Sequence, residues 1–159
     1  SLAAAADQLT SDFPGEQITT EMVKKYFGGR AEAKSFAVAG AAMTGETAQA
    51  LEALRWALDG GTPSVLVTSA IAGSVRSVAR FIGSSGSGGR DADLARDLGV
   101  PFWKVKTIRS QSRGWDDAGV SAALRAVAQA DADITGAAHD AGYTLERLVL
   151  TVSSLRRGR

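Results

Sequence analysis

Apolar residues recur at helical spacing in almost every segment of this chain, and this pattern limits the possible folds more than any other feature. The clearest segment follows Thr62-Pro63, where apolar residues recur every three or four positions: Val67, Ile71, Val75, Val78 and Ile82. Breaks that contain glycine separate the segments, and none of them shows the sustained alternation that is typical of a strand. The sequence therefore predicts an all-α fold. One helix is expected to end at Gly28-Gly29 and the next to begin at Ser35. Asp116 is expected to cap the start of a later helix.

The middle of the chain predicts two short helices joined by a tight turn. Asp91 can cap the first helix, and Gly99 can supply the left-handed conformation that ends it. Ala95, Gly99 and Val105 have the spacing of a helix-turn-helix, in which a glycine lies in the turn between two packed helices. One hypothesis is therefore a DNA-binding regulator with Phe102–Ser112 as its recognition helix.

Two features weaken the hypothesis of a DNA-binding regulator. Phe102 and Trp103 would lie at the start of the recognition helix, where base-reading proteins usually carry Gln, Asn, Ser or Arg. The formal net charge is only +1, whereas nucleic-acid-binding domains are usually more basic. The same spacing also packs two short helices for other purposes, and we expect the aromatic pair to pin the turn to the core.

Composition excludes several classes of active site. The 159 residues include no cysteine, which excludes disulfides and thiolate catalysis. Because His139 is the single histidine, a histidine metal cluster is excluded, and its expected role is at the surface or in a cap. No phosphate-binding loop of the Gly-x-x-x-x-Gly-Lys-Ser/Thr type is present, and no long apolar run predicts a membrane span. The sequence therefore predicts no catalytic residue, metal site or cofactor, and we do not expect an enzyme.

Basic side chains are the strongest candidates for a binding surface. Lys106, Arg109 and Arg113 recur at helical spacing in the second short helix, and Arg76 and Arg80 lie one turn apart on the long helix. Such stripes can contact DNA phosphates or an acidic partner surface. An ordinary solvated helix face explains the same spacing equally well, so both interpretations stay open.

Several motifs follow one another in a fixed order across nearly the whole chain. They are Met22-Val-Lys-Lys-Tyr-Phe-Gly-Gly-Arg-Ala-Glu32, Phe36-Ala-Val-Ala, an amphipathic Leu/Trp helix, Asp93-Leu-Ala-Arg-Asp-Leu-Gly-Val-Pro-Phe-Trp-Lys-Val, Arg113-Gly-Trp-Asp, and Leu145-Glu-Arg-Leu-Val-Leu150. In this order the chain resembles the C-terminal part of the delta subunit of bacterial DNA polymerase III. Its alanine- and arginine-rich composition is similar to that of actinobacterial members.

The resemblance implies a helical collar domain, a bundle of about five to six helices over residues 35–159, preceded by the end of a helical lid domain over residues 1–34. It implies a non-catalytic cytoplasmic subunit of the clamp loader, the ring that loads the sliding clamp during DNA replication. The expected partners are the motor subunits, delta prime and, through the complex, primer-template DNA. The part that grips the sliding clamp would lie upstream of Ser1.

The resemblance carries over few individual residues. Some family members turn an aromatic side chain toward primer-template DNA near the start of the last collar helix, which makes Tyr143 a candidate with His139 nearby. Arg30 lies where motor subunits place a nucleotide-sensing arginine. Since delta subunits are not expected to bind ATP, Arg30 is expected to be structural.

Overall fold

The computed structural model of the protein describes residues 20–85, 90–136 and 140–157, and all regular secondary structure in these ranges is helical. There are seven helices in this part of the chain: α1 (Thr20–Met43), α2 (Thr47–Asp59), α3 (Ser64–Ser85), α4 (Asp91–Leu98), α5 (Phe102–Ser112), α6 (Asp117–Thr135) and α7 (Ala141–Leu155). This architecture confirms the all-α prediction.

Five of the helices share the main hydrophobic core. α1 packs between α2 and α3, α6 lies against α3, and α7 closes the bundle between α6 and α2. Small residues line the inner face of α1, where Ala39 and Ala42 have no exposed surface, so that neighbouring helices approach α1 closely. The apolar stripe predicted for α3 is confirmed, because Val67, Ile71 and Val75 are fully buried.

The remaining two helices, α4 and α5, build a smaller second core against the C-terminal part of α3. This second core consists of one residue of α3 and five residues of the α4–α5 pair: Phe81, Leu94, Ala95, Leu98, Val105 and Ile108. The small pair of helices is therefore a corner attached to the bundle by α3.

Caps explain several of the helix boundaries. The carboxylate of Asp116 accepts a hydrogen bond from the backbone N–H of Gly119 at 2.7 Å and starts α6, as predicted. Gly99 ends α4 with a φ of 68°, also as predicted. The prediction that Asp91 caps α4 is wrong. Arg90 occupies the cap position without a side-chain hydrogen bond, and Asp91 is the first helical residue.

The predicted helix end at Gly28-Gly29 is also wrong. α1 continues through both glycines and past Ser35 to Met43. Glycine disfavours a helix through its backbone entropy, by about 1 kcal/mol relative to alanine, but it places no steric obstacle in the backbone hydrogen-bond ladder. One continuous helix spans residues 34 and 35, so secondary structure marks no break between a lid and a collar at this point. The boundary between the two domains stays a prediction.

One helix in the described ranges is long and apolar enough to cross a membrane by composition alone. It is α3, over Ser64–Ser84, and 44% of its most apolar stretch is buried inside the protein. Its apolar side faces the main core, which is the usual position of a central helix in a helical bundle.

Candidate interaction surfaces

Arg109, one of the basic residues predicted to face a partner, contacts the second core. Its guanidinium donates to the carboxylate of Asp91 at 2.5 Å and lies 5.3 Å from the ring centroid of Phe81. These two contacts connect α5 to α4 and to α3. Arg109 therefore has a structural role that spacing did not predict, and its participation in an interface stays a prediction.

The other basic residues lie at the surface, on separate elements. Arg76 and Arg80 are exposed one turn apart on α3, and Lys106 is exposed on α5. Arg113 is exposed as well, but it follows the end of α5 with extended backbone angles (φ −61°, ψ 131°). The prediction of a single helical stripe is therefore wrong for Arg113, which belongs to the turn between α5 and α6.

The prediction that Phe102 and Trp103 pin the turn to the core is wrong. Their exposed fractions are 63% and 70%, among the highest of the large apolar residues that the structure describes. Phe102 is in register with the buried Val105, but it lies in the first turn of α5, beyond the residues that form the second core. Trp103 points to a different side of the helix from Val105, because two residues correspond to about 200° of helical rotation.

The first turns of α5 therefore form an aromatic–basic surface, defined here as Phe102, Trp103, Lys104 and Lys106. All four residues are exposed. Aromatic faces with neighbouring lysines can stack on bases and neutralise phosphates, and they can also anchor a protein interface. The sequence signal for this surface was the position of the aromatic pair directly after Pro101, at a helix start.

The turn that joins α5 to α6 is locked to two distant parts of the chain. The indole Nε1 of Trp115 donates to the backbone carbonyl of Met43 at 2.8 Å, at the end of α1. The carbonyl of Gly114 accepts from the backbone N–H of Arg157 at 2.8 Å. Gly114 has a φ of 80°, and a Cβ there would collide with the carbonyl of Arg157. These two hydrogen bonds, called here the Gly114 lock, hold the turn in place and so fix the position of Arg113.

Tyr143 lies in the first turn of α7 and is 58% exposed. The guanidinium of Arg147, one turn later, lies 5.9 Å from its ring centroid. The carboxylate of Asp140 caps α7 by accepting from the backbone N–H of Tyr143 at 3.2 Å. The ring is thus presented at the surface by a capped helix end, as the prediction for Tyr143 requires. His139 lies outside the described residues.

Tyr143 also borders two shallow grooves. One, of about 350 Å³, lies between α6 and α7 and is lined by Ala130, Asp133 and Arg147 among others. The other, of about 370 Å³, lies between α2 and α7 and is lined by residues that include Leu58 and Glu146. Within the described ranges, no group of three or more His, Cys, Asp or Glu residues could hold a metal ion. The described residues thus offer exposed helix faces and two shallow grooves as candidate surfaces for binding.

Comparison with known proteins identifies the fold and the family. The model of the family described as "DNA polymerase III delta subunit, C-terminal domain" matches residues 32–152. Among solved structures, the chain is similar to the Bacillus subtilis DNA clamp loader delta protein (YqeN), with a TM-score of 0.69 at 18% sequence identity. This similarity covers 92% of the present chain and 44% of that chain, so the present chain spans less than half of that protein.

The remaining comparisons add no second candidate. A search of curated proteins finds no match. Neither the family model nor the solved structure supports the helix-turn-helix regulator, although α4, Gly99 and α5 do have the packing that suggested it. At 18% identity, the similarity to the solved structure shows a shared fold and no more. The family model covers most of the chain and therefore shows the family. The chain belongs to the family of C-terminal domains found in the delta subunits of DNA polymerase III.

Proposed function

We propose that this chain is the collar of a clamp-loader delta subunit, a non-catalytic module that holds its subunit in the ring during DNA replication in the cytoplasm. The observation that carries the proposal is the family match over residues 32–152, together with a helical bundle that accounts for those residues. Its partners would be the motor subunits and delta prime. The sliding clamp would be reached through a part of the delta subunit upstream of this chain.

A non-catalytic role agrees with the surfaces that the bundle exposes. These surfaces include arginines, lysines and aromatic rings presented on helix faces and helix starts. Aromatic residues and arginine are enriched in protein interfaces, where a few anchors supply most of the binding free energy. Arg76 and Arg80 on α3, and Arg113 beside the Gly114 lock, are the candidates for contact with neighbouring subunits.

Charge reversal tests the arginines proposed to contact neighbouring subunits. Arg76→Glu/Arg80→Glu is expected to reduce co-elution of the chain with the motor subunits and delta prime, because each exchange replaces attraction by repulsion at an interface. The matched control is Arg96→Glu/Arg125→Glu, which changes the net charge equally at positions on α4 and α6. Equal co-elution of both variants would remove Arg76 and Arg80 from the interface. Failure of the unmodified chain to co-elute would reject the proposed function.

The aromatic–basic surface and Tyr143 are the candidates for contact with primer-template DNA. Stacking of a base on an aromatic ring contributes about 1–3 kcal/mol. Trp103→Ala in the assembled clamp loader is therefore expected to weaken DNA binding by roughly 5-fold to 150-fold. Trp56→Ala is the matched control, since Trp56 is 61% exposed on α2. Equal affinities of the two variants would show that Trp103 does not contact DNA.

A salt series separates the contribution of the lysines. Lys106→Ala is expected to reduce the slope of log affinity against log salt concentration by about one, because one phosphate contact is lost. Tyr143→Ala is expected to lower the affinity and leave that slope unchanged, since stacking releases no counterion. An unchanged slope for Lys106→Ala would show that this lysine contacts no phosphate.

A further inference from the structure

Two adjacent glycines lie in the interior of α1, at positions where a helix disfavours glycine. The helix runs without a break through Gly28 and Gly29. After proline, glycine is the least favourable residue in a helix interior, because it loses the most backbone freedom. Gly29 is not among the glycines with positive φ, and a Cβ at Gly29 would meet no atom within 4 Å. Neither backbone conformation nor packing therefore explains a glycine at position 29.

The glycines precede the part of α1 that the bundle holds. The first buried side chain in the described part of α1 is Ser35, which is 2% exposed and bonded to the carbonyl of Ala31. Val38 and Ala39 follow with no exposed surface. Gly29 itself is exposed and lies about 9 Å before Ser35, at about 1.5 Å per residue. Among the side chains of α1 that the structure describes, from residue 29 onward, the packing that stabilises most protein helices therefore begins only at Ser35.

Gly40 and Gly73 also lie within helices, but each differs from Gly29 in how it or its neighbours are packed. Gly40 lies in the packed half of α1, where a Cβ would stand 3.9 Å from the side chain of Gln111. Gly73 is as open as Gly29, but the residues on both sides of it, Ala72 and Val75 among them, are buried in the bundle. Among the described helices, two glycines adjoin only at residues 28–29.

We infer that Gly28-Gly29 is a hinge, at which the N-terminal part of α1 bends relative to the bundle. Glycine pairs are a recognised cause of helix bending, since their helical hydrogen bonds have no side-chain packing to restrain them. A hinge here would let the first turns of α1 change direction while the bundle stays fixed. Its use for movement within a clamp loader rests on the proposed function; the bending itself does not.

Distance measurements between spin labels test the hinge on the full 159-residue chain. The sequence contains no cysteine, so that introduced cysteines are the only labelling sites. The test pair is Glu21→Cys with Glu52→Cys, which joins the N-terminal part of α1 to an exposed position on α2. The reference pair is Ala37→Cys with Glu52→Cys, which joins α2 to the packed half of α1. We expect a wider distance distribution for the test pair than for the reference pair.

Alanine replacement then separates a hinge from general mobility. Gly28→Ala/Gly29→Ala is expected to narrow the test-pair distribution toward the reference width and to slow amide hydrogen exchange around the glycines about fivefold per replaced glycine. The matched control Gly73→Ala, on α3, should change neither measurement.

The hinge is rejected if the test-pair distribution of the unmodified chain is already as narrow as that of the reference pair. It is equally rejected if the distribution stays wide after both alanines are introduced. Because these measurements need no partner subunit, a negative result leaves the collar proposal intact. A failure to co-elute with clamp-loader subunits would likewise leave the hinge intact.

Discussion

Trp115 joins the turn before α6 to the end of α1. Its side chain is 7% exposed, and its Nε1 donates to the carbonyl of Met43 at 2.8 Å. A buried tryptophan N–H normally finds such an acceptor, because an unpaired polar group in the core is costly. Trp103, at 70% exposed, and Trp56, at 61%, have no comparable burial. The three tryptophans therefore divide into one core anchor and two surface residues.

Replacement of Trp115 by phenylalanine is expected to cost about 1–3 kcal/mol of unfolding free energy, because the carbonyl of Met43 loses a buried donor. Trp103→Phe is the control and should change the unfolding free energy by less than about 0.5 kcal/mol, as is usual for exposed positions. Urea unfolding of both variants measures the difference. Equal losses would contradict the assignment of Trp115 as the anchor.

Gly114 is required both by its backbone conformation and by its surroundings. Its φ is 80°, and a Cβ would collide with the carbonyl of Arg157. Gly114→Ala is therefore expected to destabilise the chain by about 1–3 kcal/mol. Gly73→Ala, at an open position in α3, should be neutral or stabilising by up to about 1 kcal/mol. Thermal or urea unfolding compares the two, and a Gly114→Ala variant as stable as Gly73→Ala would show that the lock with Arg157 is dispensable.

At the scale of elements, α4 and α5 are attached to α3 by a small core and one charged link. Arg109 meets Asp91 on α4 and the ring of Phe81 on α3. The side chains of Arg109 and Asp91 are each 40% exposed, so that solvent screens their attraction. The link is therefore expected to orient α5 and to contribute modestly to stability.

A double-mutant cycle with Asp91→Asn and Arg109→Gln measures this link. We expect a coupling free energy of about 0.5–1 kcal/mol, falling as salt is added, because the pair is partly exposed. The analogous cycle on the exposed Asp93 and Arg96 pair of α4 should give a smaller coupling. Coupling at Asp91 and Arg109 that does not exceed the one at Asp93 and Arg96 would contradict a connecting role.

The sequence predicted elements well where local chemistry decides them. Asp116 and Gly99 cap helices because a carboxylate or a left-handed glycine satisfies backbone groups within a few residues. Prediction was wrong at Gly28-Gly29, where a helix tolerates two unfavourable residues. It was also wrong at Asp91, whose carboxylate pairs with Arg109, a residue distant in sequence.

At the scale of the whole molecule, the fold class and the family followed from the order of weak helical motifs. The candidate binding surfaces did not follow from the sequence, because exposure depends on which faces remain open after packing. Phe102 has the register of a buried residue and is nevertheless exposed, since it lies beyond the residues that form the second core. Arg113 continues the numerical spacing of Lys106 but leaves the helix. Only tertiary contacts distinguish these cases.

Two further points stay predictions: the division between lid and collar at residue 34, and the actinobacterial type of the chain.

The collar function is tested by the mass of the complex formed when this 159-residue chain is co-expressed with clamp-loader motor subunits and delta prime. A collar that holds its subunit in the ring predicts one stable assembly that contains one copy of the chain, measured by native mass spectrometry at physiological salt. An assembly of the motor subunits and delta prime that excludes the folded chain would contradict the proposed collar function.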